Sequence, residues 1–223
     1  MDYQLIRSKR KTIALYVRDG AVELRAPLNA PKAEIDTFIA SKEKWIIGRL
    51  TQSRERIERR EAFRLSYGGT VTYRAKEHLI AAKDGDRLGF DYERFYMPPN
   101  LTPAQIKNAC IQIYKMLAKR DLTETTFAFA KRMGVMPAAV KITGAAARWG
   151  SCSGKGSINF SWRLIMADDD VIDYVVVHEL AHITEMNHSA AFWRIVDDIL
   201  PDRKQRQARL NELQKRLGGE DWT

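Results

Sequence analysis

Apolar positions near the front of the chain alternate with polar ones. Ile13, Leu15 and Val17 are spaced by two, Asp19-Gly20 supplies a tight turn, and Val22 and Leu24 resume the alternation, so a β-hairpin with one buried face is expected. Pro27 and Pro31 close it. Beyond them Ile35, Phe38, Ile39, Trp45, Ile46 and Leu50 recur at helical spacing, which predicts one helix packed on the hairpin. Residues 51–64 are charge-rich with little apolar content, an exposed helical extension or linker. Short alternating runs at Val71 to Tyr73, Leu79-Ile80 and Leu88 to Phe90, with turns at Gly68-Gly69 and Asp84-Gly85, predict further antiparallel sheet.

Pro98-Pro99 breaks this pattern. Thr102-Pro-Ala-Gln105 then reads as a capping box with proline at the first helical position. The helix it opens turns Ile106, Cys110, Ile113 and Leu117 inward, runs on through Phe127 to Met133 and stops at Gly134. Val140 and Ile142 form a short strand. After a turn spanning Gly150 to Gly156, Ile158, Phe160, Trp162 and Leu164 alternate as a second. Asp168-Asp-Asp170 offers an N-cap and favourable charge to a following helix. Phe192, Val196 and Ile199 stripe the next one, which Pro201 ends, and residues 202–217 form a polar helix with Leu210, Leu213 and Leu217 on one side. The expected architecture is α+β. An antiparallel β-rich subdomain with its packing helix occupies residues 1–97, and a domain of helices plus a small sheet occupies residues 98–223.

The chemistry concentrates in the apolar-led helix from Tyr174. Three of the four histidines fall within eleven residues, as His178-Glu-Leu-Ala-His182 and His188. His178 and His182 share one helical face, so two imidazoles reach one cation with Glu179 leaning over its open side. His188, six residues on, joins them only if the chain turns back. Asn187 is suited to a left-handed turn residue, and Ser189 to the N-cap of a helix beginning at Ala190. A lone HExxH arises by chance in many chains. Here the motif, a third histidine and an apolar lead-in coincide, and they point to a Zn2+ site. Glu185 is the alternative third ligand.

Composition sets the frame around that site. The 223 residues are 45% hydrophobic, enough for a real core, and contain only Cys110 and Cys152, which excludes a disulfide framework. The first residues show no basic segment leading into an apolar run, and nowhere do the ~18 successive apolar residues of a membrane span occur. A soluble cytoplasmic protein with no membrane partner is expected. The net charge of +9 is uneven: residues 1–76 hold 17 Lys plus Arg against 9 Asp plus Glu, the remainder 20 against 19. The basic front therefore suits an anionic partner, nucleic acid first, against the plainer reading of a solvated surface. Arg7, Lys9, Arg10, Lys11, Arg54, Arg56, Arg59 and Arg60 are the residues that would carry it.

Arg148-Trp-Gly-Ser-Cys-Ser153, Ser161-Trp-Arg-Leu-Ile165, Tyr174-Val-Val-Val-His-Glu-Leu-Ala-His182, Asn187-His-Ser189 and Phe192-Trp193 together resemble the YgjP-type metallopeptidase family, relatives of the SprT-like zinc proteases. Arg10-Lys11-Thr12, Ala26-Pro27 and Trp45-Ile46 extend the likeness to the front. The resemblance implies a zincin-like catalytic domain in which His178, His182 and His188 bind zinc and Glu179 is the catalytic acid/base. The histidine spacing is also that of metzincins, but their turn glycine is Glu185 here, so the turn is built differently.

Three neutral imidazoles leave zinc a fourth position for water, and Glu179 takes that water's proton for attack on a peptide bond. An extended peptide would lie along a sheet edge, for which residues 148–153 are the candidate. Within that segment Arg148 would hold an anionic group or pair with the acidic run. Cys152 lacks a free base and reads as a packing residue, while Trp149, Trp162 and Trp193 read as aromatics around the site. Two rival functions come from other classes: a zinc-dependent nucleotide phosphohydrolase, and a nucleic-acid or partner-binding module with structural zinc. Glu179 weighs against the module, because a closed structural site needs no base.

Overall fold

The computed structural model describes residues 2–222. By its contacts the chain forms two compact units, one running up to Phe63 together with Arg216–Asp221, the other Arg64–Lys215 with Trp222.

In the first unit β1 (Gln4–Ser8), β2 (Ala14–Arg18) and β3 (Ala21–Pro27) form a sheet of order β1-β3-β2. The hairpin is as expected: β2 and β3 are antiparallel with Leu15 opposite Leu24, and the turn places Asp19 and Gly20 at φ of 47° and 78°, left-handed values that match strand twist. β1 pairs parallel to β3, so the sheet is mixed. Leu24, Ala26, Ala30 and Ile35 make its core, with Leu15, Phe38 and Ile39 against them.

The single helix expected over Ile35 to Leu50 is two, α1 (Lys32–Ser41) and α2 (Glu43–Ala62). Lys42 leaves the helical region at φ −110°, ψ 6°, and its N–H bonds back to Ile39 O in a tightened last turn. The break turns Trp45 outward, and it is 44% exposed. Arg7 is absorbed by the fold: its Nη1 donates to the carbonyls of Pro27, Leu28 and Ala30 at 3.2, 3.0 and 2.9 Å.

The second unit begins with β4 (Thr70–Tyr73), β5 (Lys76–Ala82), β6 (Gly89–Phe90) and β7 (Arg94–Met97), in the order β4-β5-β7-β6. β5 and β7 run parallel, so this sheet too is mixed rather than antiparallel. It packs on α3 (Pro103–Met133), and Arg74 N–H donates to Ile165 O. These contacts group the sheet with the second unit, although the sequence reading places residues 70–97 with the front.

α3 opens on the expected capping box and ends at Gly134 in the left-handed conformation. Ile106, Cys110, Ile113 and Leu117 are buried, and burial pushes the Cys110 thiol up to about 12, which marks a core residue. Phe127 is exposed, and Phe129 and Ala130 carry the inward face in its place.

β8 (Ala139–Thr143), β9 (Gly150–Cys152) and β10 (Ser157–Ser161) form the sheet β8-β10-β9, with β9 at its edge. Three strands thus stand where two were expected, since Gly150–Cys152 pairs antiparallel to β10 instead of belonging to the turn. Trp162 and Leu164 lie in a 3-10 helix, Trp162–Met166, and not in a strand. Trp162 is buried there, stacked on Tyr114 at 5.3 Å, with Trp222 edge-on to both rings. Arg163, itself 9% exposed, donates to the carbonyls of Gly144 and Trp222 at 2.9 and 3.0 Å. α4 (Asp169–Thr184), α5 (Ala190–Ile199) and α6 (Arg203–Leu217) follow. Among the described residues no helix is long and apolar enough to cross a membrane.

Candidate metal centre

α4 forms where the sequence places its signals. The Asp168 side chain accepts from Val171 N–H at 3.0 Å, and Asp169 and Asp170 occupy the first turn, where carboxylates meet the positive end of the helix. This acidic run is held by Arg74, Arg206 and Arg209. Arg148 takes no part, being exposed and without an ion pair among the described residues. Val171, Ile172, Val175, Val176, Val177 and Leu180 are all buried, which fixes the helix in the core and so fixes what its other face presents.

That face carries His178 and His182. The helix stops at Glu185, whose backbone is extended at φ −130°, ψ 103°. Asn187 does not adopt the expected left-handed conformation; the reversal is made by extended backbone and a Ser189 N–H to Asn187 O bond of 2.8 Å. Ser189 caps α5 as expected, its Oγ accepting from Phe192 N–H. His188 is thereby swung back toward α4. One ring nitrogen from each of His178, His182 and His188 lies within 4.8 Å of the others, and the Nε2 atoms of His178 and His188 are 3.0 Å apart. Glu185 lies outside the cluster.

The surroundings orient each ring. His182 Nδ1 is 3.0 Å from Glu185 O; a carbonyl only accepts, so Nδ1 carries the proton and Nε2 keeps its lone pair. Phe192 packs at 5.0, 4.5 and 4.7 Å from the rings of His178, His182 and His188. Trp193 stacks on His188 at 5.6 Å. Arg203 lies over Trp193 at 4.2 Å and is anchored by Asp197 at 2.5 Å. Burial, followed by the two neighbouring imidazoles, pulls His178 down to about 4, so it is neutral at pH 7 and its lone pair is available.

These residues fit a zinc ion. His178 Nε2 and His188 Nε2 face one another at 3.0 Å, and one ring nitrogen of His182 lies within 4.8 Å of that pair. Ligands about 2.0–2.1 Å from zinc stand about 3.4 Å apart in a tetrahedron, within reach of the observed spacing.

Glu179 is 6% exposed, and burial pushes its carboxyl up to about 7. The cover over it is β9: a Cβ at Gly150 would sit 2.5 Å from Glu179 Oε1 and 2.6 Å from its Cγ. Only glycine allows strand and carboxylate to approach so closely. Sequence reasoning named Gly150 merely as a turn residue; its place between Trp149 and Ser151, in a segment already read as a sheet edge, was the available signal. Cys152, two residues along β9, is part-buried, and burial followed by the charge of Glu179 raises its thiol, which leaves it a poor nucleophile.

Comparison with known proteins gives one family. The model of the YgjP-like, metallopeptidase domain matches residues 11–213. Among solved structures the chain is similar to the metallopeptidase zymogen of Pyrococcus abyssi abylysin, with 23% identity over 41% of this chain and 92% of that one and a TM-score of 0.39. It is also similar to the metallopeptidase zymogen of Methanocaldococcus jannaschii jannalysin, with 18% identity, 43% and 96% coverage and a TM-score of 0.37. No curated protein matches.

Proposed function

The chain belongs to the YgjP-like metallopeptidase family, and from that membership we propose that it is a zinc-dependent metallopeptidase in which His178, His182 and His188 hold the ion and Glu179 is the general acid/base. The observation that carries the reading is the cluster of three ring nitrogens within 4.8 Å on the face that Glu179 borders.

When bound, zinc supplies a Lewis acid that makes water nucleophilic near neutral pH and polarises a carbonyl. The residues supply the rest. Glu179 accepts a proton from the attacking water and returns it to the leaving amine; a carboxyl displaced toward neutrality by burial suits both halves of that exchange, and beside a cation it ionises more readily. β9, as the edge strand, has main-chain groups to pair with an extended peptide, and Gly150 brings that strand onto Glu179. Phe192 packs against all three imidazole rings and shields them from water on its side.

The test pairs two variants. Glu179→Gln is expected to keep the metal and the fold while cleavage of a protein substrate falls by about 10²–10⁴-fold, and His188→Ala to lose zinc in metal analysis of the purified protein. Full activity in Glu179→Gln would sink the mechanism. Hydrolysis of nucleoside triphosphates with none of peptides would move the site to the phosphohydrolase class.

A further inference from the structure

The basic character of the front has a definite location on α2. Only Ile46 and Ser53 of this helix are buried; with the part-buried Leu50 and Ile57 they form one seam at spacings of three and four. The remaining surface separates by charge. Counting in the same way from Trp45 reaches Arg49, Gln52, Arg56, and then Arg59 and Arg60, a stripe along one flank with no acidic residue in it. Glu58 and Glu61 fall on the opposite side of the helix with Arg54, and Glu55 borders the stripe at its Arg59 end, four residues before that arginine. The helix as a whole carries six basic and four acidic residues, so its modest net charge conceals the segregated flank.

The stripe is weakly satisfied within the protein. Arg56 meets the exposed Asp19 and Arg60 the part-buried Asp221, each at 3.7 Å, long contacts from exposed arginines that are worth little in water. Arg49 lies 5.6 Å over the ring of Trp45, which is itself 44% exposed. A solvated helix has no need of a half-exposed tryptophan at the end of an arginine row. An unpaired base stacks on such a ring, while guanidinium groups spaced along the helix take successive phosphates. From residue 45 to residue 60 the stripe spans about 22 Å at helical rise.

We infer that this flank of α2 is a binding surface for single-stranded nucleic acid, with Trp45 as the stacking platform and Arg49, Arg56 and Arg59 as phosphate contacts. It differs from the set that sequence alone suggests: Arg7 is committed to backbone carbonyls, Arg54 stands on the acidic side, and Arg49 and Trp45 enter. The surface lies within the first compact unit and is independent of the peptidase reading.

The experiment is a fluorescence-anisotropy titration of the full chain with labelled oligo(dT) and oligo(U) between about 50 and 200 mM salt. Affinity is expected to fall steeply with salt. Arg49→Gln and Arg56→Gln should each flatten the slope of log affinity against log salt by about 0.7. Arg54→Gln removes the same charge from the other flank and should leave the slope unchanged. Trp45→Ala should weaken binding by about 5- to 150-fold, with most of the loss restored in Trp45→Phe. The proposal is overturned by absence of binding at the lowest salt, by an Arg54→Gln effect equal to that of Arg56→Gln, or by binding to phosphatidylserine vesicles without binding to either oligonucleotide. Unchanged affinity in Trp45→Ala, or equal affinity for a duplex of the same length, overturns the assignment to single strands.

Discussion

Ten of the sixteen residues of α4 are buried, whereas of the twenty in α2 only Ile46 and Ser53 are. Both helices carry ionisable side chains in number, and the setting decides what those side chains can do. On α4 burial pulls His178 down, helped by the two neighbouring imidazoles, and pushes Glu179 up, because desolvation penalises whichever form is charged. Interactions there are short and little screened, so one atom out of place is felt strongly. On α2 the charges sit in water at high dielectric and within reach of salt, so each contributes little and the row acts by addition. One helix works by enclosure, the other by display.

The largest test of enclosure is Gly150→Ala. The new Cβ, 2.5 Å from Glu179 Oε1, must displace the carboxylate or the strand, and a displacement of about 1 Å is expected to lower kcat/KM on a protein substrate by about 10²-fold, with zinc content unchanged. Wild-type activity in this variant would mean that the tight cover over Glu179 is incidental.

A smaller effect is expected at the outer ring of the site. Trp193 holds His188, the one clustered imidazole that is exposed, by stacking, and is itself held by Arg203 and Asp197. Trp193→Ala should weaken zinc binding by about 10- to 100-fold, the range for groups that orient metal ligands. Trp193→Phe, which keeps a stacking ring, should stay near wild type. Competition with a chromophoric chelator reads both, and equal losses in the two variants would place the role in bulk packing.

The smallest effect is in the pH dependence of stability of the metal-free protein. Glu179 has a folded value near 7 against about 4.5 unfolded, so the stability associated with its neutral form is full below about 4.5 and is lost as pH rises toward 7. His178, depressed to about 4 from 6.5, contributes stability that is full above 6.5 and is lost as pH falls toward 4. The two slopes oppose each other between about 4.5 and 6.5. Glu179→Gln removes only the falling one, so chemical denaturation across this window should show stability rising with pH in the variant and a flatter profile in wild type. Parallel profiles would show that burial of Glu179 does not set its proton affinity.

What could be read from sequence follows the range of the forces involved. The β2–β3 hairpin was legible because Asp19-Gly20 supplies the turn locally, and α3 because Thr102, Gln105 and Gly134 mark its ends with their own chemistry. The grouping of three histidines was legible because two share a helical face and Ser189 caps the next helix. The failures are tertiary. Nothing near Gln4–Ser8 announces a parallel partner some twenty residues away. The alternation of Ile158, Phe160, Trp162 and Leu164 does not separate a strand from a strand that tightens into a 3-10 helix, because all four are buried either way. Ile35 to Leu50 keep helical spacing through Lys42, so the break between α1 and α2 is invisible in the pattern and Trp45 counts with the apolar positions of one helix. Gly150 needed the position of Glu179, twenty-nine residues later, before its role could be seen.

The Arg163 clamp has a consequence in time. Its partner carbonyl belongs to Trp222, 59 residues further along the chain, and the Trp222 ring closes the cluster formed by Tyr114 and Trp162. At about 5–20 residues per second, translation reaches Trp222 some 3–12 s after Arg163. For that interval a nascent chain carries the Tyr114–Trp162 pair without its edge-on ring and a guanidinium without its second acceptor, and the second unit acquires its finished core only when nearly all of its sequence has been made.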